Sequence, residues 1–256
     1  MAGAERVVTL TCSHTEIVAA LGCGDRIVGC DADSDQPAEL VASLPRVGRD
    51  LGVDPEKVAA LDPDLVLASL TVPGHEKVVA RLEAKGLPFV VTQPVSLADV
   101  YADIRQVAGL LAVEERGERL VQEMQQAMPA VERSEKDRPS LLVSWWPSPV
   151  IGAGRRSWVH DLIELAGGRN ANEDCQKESA PLSAEQICAL APEHFVISWC
   201  GVPAAKYRPE LVLEDLALAE VPAVRRGAVH CVSEAWLGRP GPNLIHGYHA
   251  LRQLLG

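Results

Sequence analysis

All five tryptophans fall after residue 140, in a chain whose aromatic content is only 4%. Trp145 and Trp146 stand side by side in LLVSWWPSPVIGAGRRSW, which ends at Trp158; Trp199 and Trp236 follow. Indoles offer large flat polarisable faces with a single N–H, the chemistry of stacking on a broad planar or macrocyclic molecule. Neighbouring side chains on an extended segment point to opposite faces, so one of the Trp145/Trp146 pair is expected to pack beneath a sheet and the other to stay free. Reactive constellations are missing: there is no GxSxG, no P-loop and no HExxH, and GCGDRI lacks the third glycine of a dinucleotide loop. His246 and His249 lie three apart in PNLIHGYHALRQLLG without a carboxylate or thiol nearby, and read as exposed or packing residues. Asp31, Asp33 and Asp35 crowd CDADSDQP; a solvated acidic loop is the ordinary reading, with paired-carboxylate hydrolysis as the alternative. A ligand wall is the reading these residues favour, with hydrolysis left open, and none of them calls for a catalytic cofactor.

Composition narrows the partner. With 47% hydrophobic and 23% charged residues and a net charge of −11, the 256-residue chain is that of an ordinary globular protein without a basic stripe, which argues against nucleic acid and anionic membranes. No apolar run reaches the roughly 18 residues of a membrane span, and MAGAERVVTLTCS lacks a charged-then-apolar leader, so the chain as given reads as unexported. Seven cysteines, an odd number without a CxxC pair, read mainly as small buried hydrophobes, with a disulfide left open.

The elements that must position the indoles follow an α/β grammar. RVVTL, DRIVGC, DLVLASL and PFVVTQ predict strands of a first unit, and PSLLVSW, HFVISWC and AVHCVSE strands of a second, alternating with helices as parallel sheets require. SHTE (Ser13 to Glu16) predicts a capping box opening the first helix, and LGCG its stop. Residues 96–138 carry no strand signal, and their second part, about 114 to 135, predicts one long helix with a narrow apolar stripe, ended by Pro139. Boundaries of 1–112, 113–137 and 138–256 result. VDPEKVAALDPDLVLASL (53–70) aligns without gaps on LSAEQICALAPEHFVISW (182–199), which points to two similar lobes. Trp145, Trp146, Trp199 and Trp236 all follow predicted strands, at the carboxyl edge where open parallel sheets bind ligands, and Trp158 opens the helix beyond.

RVVTLTCSHTEIVAALGCGDRIVGC, DPEKVAALDPDLVLA, GRRSWVHDLIELAGGRNA and RPGPNLIHGYHALRQLL, in this order along nearly the whole chain, resemble the substrate-binding proteins of ABC importers. Within them they are similar to the branch usually described as cobalamin-binding. The resemblance implies the class III periplasmic binding protein fold, two Rossmann-like parallel-sheet lobes bridged by one long helix. It implies a monomer capturing cobalamin or a related corrinoid in a cleft between lobes, in the periplasm or otherwise outside the cytoplasm, and delivering it to an ABC permease. Positions expected to line the ligand are Cys12, Ser13, His14, Asp33, Asp50, Leu70, Trp145, Trp146, Trp158, Trp199, Trp236 and Arg239. Glu76 and Glu210 match the acids that dock on permease arginines. One departure is that Asp33, Asp50 and Ser69 stand where cobalamin binders often carry Tyr or Trp. Alternatives on the same fold are a ferric siderophore, held by Arg155, Arg156 and Arg239, or haem, with His14 or His160 on iron; a cytoplasmic corrinoid-binding protein is a third.

Overall fold

The computed structural model describes residues 3–256 and divides into two compact units, one reaching to Pro94 and resuming over Asp99–Met124, the other made of Val95–Ala98 and Gln125–Gly256. In the first unit the chain runs β1 (Val7–Thr9), α1 (Cys12–Ala20), β2 (Ile27–Cys30), α2 (Ala38–Val41), α3 (Pro55–Ala60), β3 (Leu65–Ser69), α4 (His75–Ala84) and β4 (Phe89–Thr92), followed by α5 (Leu97–Leu110) and α6 (Glu114–Ala127). The sheet order is β2-β1-β3-β4, all parallel. Val8, Val66, Val58 and Leu82 are buried between this sheet and its helices. Continuous runs such as the fully buried LVLAS of β3 are what a strand covered on both faces requires.

The second unit contains β5 (Ser140–Pro147), β6 (Val150–Ala153), α7 (Trp158–Leu165), β7 (Arg169–Asn170), β8 (Ser179–Leu182), α8 (Ala184–Leu190), β9 (His194–Ile197), α9 (Glu210–Leu213), α10 (Pro222–Arg225), β10 (Val229–Cys231), α11 (Glu234–Leu237) and α12 (Leu244–Leu255). Its sheet runs β10-β9-β5-β6-β8, with β7 paired to β5. The parallel strands β5, β9 and β10 are extended on one side by β6, which pairs antiparallel with β5, and by β8, which pairs antiparallel with β6. β8 reads SAPL and tolerates Pro181 because it lies at the sheet edge, where a missing N–H breaks no ladder.

The internal repeat is a structural one. α3 and α8 occupy equivalent positions, each capped by the residue before its first turn: Asp54 accepts the N–H of Glu56 at 3.0 Å, and Ser183 that of Gln186 at 3.3 Å. The chain then turns through left-handed Asp62 (φ 47°) and Ala191 (φ 45°), passes a proline, and enters β3 or β9. With β1 matching β5, β3 matching β9 and β4 matching β10, the units share the order of three strands; the short parallel β7 follows α7 as β2 follows α1, and the antiparallel β6 is added beside it on β5.

Two local expectations change. Helix α1 is capped by Thr11, whose Oγ1 accepts from the His14 N–H at 3.4 Å, so Ser13 lies inside the helix. The long helix expected over about 114–135 is α6 alone and ends at Ala127, because Pro129 cannot continue the helical ladder and restrains the residue before it. All seven cysteines are free thiols, and only Cys23 and Cys30 are buried.

Candidate functional site

Parallel strands deliver side chains to the carboxyl edge of each sheet, so the two edges can be built residue by residue. In the second unit, Trp145 and Trp146 belong to the last turn of pleat of β5 rather than to a loop after it. Trp145 is half-buried and Trp146 is 44% exposed, as alternation along a strand demands. Trp236, on α11 just beyond β10, is 41% exposed, and its ring centre lies 5.7 Å from that of His246. Trp158 opens α7 behind the Ser157 cap and donates its Nε1 hydrogen to the Leu237 carbonyl at 2.7 Å, which ties α7 to α11. The bare Cα of Gly247 on α12 lies so near α11 that a Cβ there would sit 2.3 Å from the Trp236 carbonyl oxygen.

Trp199 departs from the expected wall. It is 4% exposed, packs with Phe195, Leu218 and Val221, and tilts against Tyr207 at 5.6 Å between ring centres. Tyr207 donates to the Trp199 carbonyl at 3.2 Å and accepts the Glu234 N–H at 3.1 Å, so the pair fixes the loop after β9 to the start of α11. Trp199 is therefore part of the core under the edge, which leaves exposed Trp146 and Trp236 and half-buried Trp145 above it. Arg239 is mostly buried beside Glu234, with Nε 3.4 Å from its carboxylate.

The carboxyl edge of the first unit is polar and internally bonded. His14, expected to face the ligand, is 2% exposed; its Nδ1 meets Thr11 Oγ1 at 2.9 Å and its Nε2 meets Thr92 Oγ1 at 3.0 Å. Burial, helped by His75, pushes its pKa down to about 4, so the ring is neutral and works as a strut between α1 and β4. Ser13 is also buried, whereas Cys12, Asp33 and Leu70 are partly exposed. Asp33 pairs with Arg49 at 2.7 Å, and Asp50, in a left-handed turn (φ 45°), accepts from His75 Nε2 at 2.9 Å. Thr11, Asp50, Ser69 and His75 line a small recess with Leu10 and Ala68. Arg49 carries no sequence signal of its own; it lies far along the chain from the acid it meets, and only the fold joins them.

The two expected docking acids lie at helix starts. Glu76, in the first turn of α4, accepts the Gly74 N–H at 2.9 Å, and Glu210, the first residue of α9, pairs with Arg208 at 2.9 Å. The Arg208 hydrogen bond holds the Glu210 carboxyl below its ordinary range. Of the basic residues considered, Arg155 and Arg156 are exposed in the turn before α7, and His160 is buried in its first turn.

Comparison with known proteins places this geometry. The model of the periplasmic binding protein family matches residues 7–233. An uncharacterised ABC transporter substrate-binding lipoprotein, YvrC of Bacillus subtilis (strain 168), is 27% identical over 257 residues, covering 97% of this chain and 79% of its own. A vitamin B12-binding protein of Yersinia pestis (strain Pestoides F) is 25% identical over 248 residues, covering 94% and 83% respectively. Among solved structures, the periplasmic haem-binding protein RhuT of Roseiflexus sp. RS-1 in apo form is 28% identical, with a TM-score of 0.79 over 99% of this chain and 100% of that one. Because one family model runs from the first residue of β1 to just past β10, through both sheets, the chain belongs to the periplasmic binding protein family, whose members are substrate-binding transport proteins and not enzymes.

Proposed function

We propose that this protein captures cobalamin or a related corrinoid and delivers it to an ABC importer. The observation that carries the reading is the group of indoles at the carboxyl edge of β5 and just beyond β10, with Trp146 and Trp236 exposed and Trp145 half-buried. A corrinoid presents a broad ring face for stacking and a periphery of amides, and brings axial ligands for its cobalt with it. The polar edge of the first unit, with Ser69, Thr71, Asp33 and Asp50, offers partners of the kind those amides accept. The vitamin B12-binding relative supports the same ligand class. The place of action in this reading is outside the cytoplasm, where a ligand is captured for import; the relative named as a substrate-binding lipoprotein supports it.

Haem is the second reading, favoured by the likeness to RhuT. A haem protein ordinarily supplies a His or Tyr to the iron. All three tyrosines are buried, with the Tyr207 and Tyr248 hydroxyls donating to carbonyls, and both nitrogens of His14 are engaged. His246, exposed beside Trp236, is the histidine that would serve. Visible-absorption titration of purified protein with cyanocobalamin, haemin and a ferric hydroxamate separates the readings. Saturable one-to-one binding of cobalamin is expected. Binding of haemin that is lost in His246→Ala, with no response to cobalamin, would replace the corrinoid with haem.

A further inference from the structure

Away from the aromatic edge, two histidines on neighbouring parallel strands of the second unit come together. His194 is the first residue of β9, and His230 is the middle residue of β10, in register with Val196. Since side chains two apart on a strand share a face, His194 and His230 lie on the same side of the sheet, and Cys231 on the other. Their rings meet end to end, with planes 26° apart and centres separated by 5.5 Å, and Nδ1 of His194 lies 3.3 Å from Nε2 of His230 across a hydrogen bond. Both side chains are half-buried, so solvent reaches the pair. Neighbouring Glu193 is committed elsewhere, accepting the Ser140 N–H at 2.9 Å and lying 3.7 Å from Arg226.

Two nitrogens bound to one Zn2+ at about 2.0–2.1 Å in tetrahedral geometry stand about 3.3–3.4 Å apart, which is the spacing already present. We propose that His194 and His230 form a bidentate site for a tetrahedral divalent transition-metal ion, Zn2+, with water completing the coordination. The strands set the spacing of the two donors, and each ring must turn by about 35° from the hydrogen-bonded line for both nitrogens to converge on the metal. In the metal-free pair one ring donates its N–H to the other. Binding requires that this proton move to the far nitrogen of its own ring, Nε2 of His194 or Nδ1 of His230, leaving two lone pairs for the metal and releasing no proton from a neutral pair. Burial holds both rings below the ordinary imidazole range, with Glu193 opposing and Arg226 adding to this at His194 and His194 adding to it at His230, which keeps them neutral. Imidazole is a good ligand for Zn2+. The site is separate from the aromatic edge: Trp199 follows His194 by five residues, roughly 16 Å of extended chain. It therefore stands or falls independently of the corrinoid reading.

Calorimetric titration of tag-free protein with ZnCl2 tests this, in the native sequence and in His194→Gln, His230→Gln and Cys231→Ser. One equivalent of Zn2+ is expected in the native protein and in Cys231→Ser, with affinity lowered by about ten-fold or more in either histidine variant. Nitrogen-15 imidazole spectra of the native protein provide the second measurement, needing no variant to fold: Zn2+ should move the His194 and His230 signals together. The proposal is overturned if the native protein takes up no Zn2+ at millimolar concentration, if the histidine variants bind as the native protein does, if Cys231→Ser removes binding, or if the imidazole signals that move are those of His246 and His249.

Discussion

Two residues expected at the ligand turn out to hold the scaffold. Sequence position puts a side chain at a strand end, but only packing decides whether it faces out or under the edge, and this separates Trp145 and Trp236 from Trp199. Trp145→Ala and Trp236→Ala are each expected to weaken cobalamin binding roughly five-fold, about 1 kcal/mol, with the melting temperature little changed. Trp199→Ala should instead cost about 3–5 kcal/mol of stability in urea unfolding, through the cavity it leaves against Phe195 and Tyr207. Equal loss of affinity in all three variants, with stability intact, would return Trp199 to the wall. His14 has a pH signature. Its folded pKa of about 4 lies below the unfolded value of about 6.5, so the unfolded chain takes up this proton first as pH falls. The native state is fully favoured by this residue above pH 6.5 and loses about 3 kcal/mol of that advantage as pH drops toward 4. Denaturant midpoints at pH 7 and pH 4.5 should differ less in His14→Gln than in the native protein; the same pH dependence in both would remove His14 as its source.

At the scale of elements, the parallel strands were legible because runs such as VVT, IVGC, LVLAS and HFVI are short, apolar and bounded by turn residues. Strands β6 and β8 were not, since VIGA follows two prolines and SAPL has no alternation; they exist because they pair with each other and with β5. The cap of α1 was misplaced by two residues because Thr11 and Ser13 both satisfy cap chemistry, and only the backbone reveals which is extended. Helices α5 and α6 pack through Gly117, where a Cβ would lie 2.4 Å from that of Ala108. An exposed helical glycine replaced by alanine normally gains up to about 1 kcal/mol. Gly117→Ala is expected to lose about 1–3 kcal/mol instead, as thermal unfolding would show, because the two backbones must part. A stabilised variant would mean that the helices adjust freely.

For the whole molecule, the two-sheet α/β class and the repeat were readable because they rest on periodicity and on a helix-proline-strand grammar written twice. The ligand is not written that way, since it depends on which few side chains the edges leave uncovered. Delivery adds a further demand on the surface. If Glu76 and Glu210 dock on arginines of the permease, Glu76→Lys and Glu210→Lys should each weaken docking at least about ten-fold in a reconstituted transporter, while cobalamin affinity stays as in the native protein. Unimpaired stimulation of the transporter ATPase by both variants would move the docking surface elsewhere. The second acid starts from a different state, because Arg208 already neutralises Glu210 and must be displaced, whereas Glu76 has only the Gly74 N–H to release. Finally, the absent side chain at Gly247 sets the seat of Trp236 from behind. A single methyl group added on α12 would press on the backbone that carries that indole, so if Trp236 stacks on the ligand, the stacking surface can shift through mutation of the last helix, at a position that touches no ligand itself.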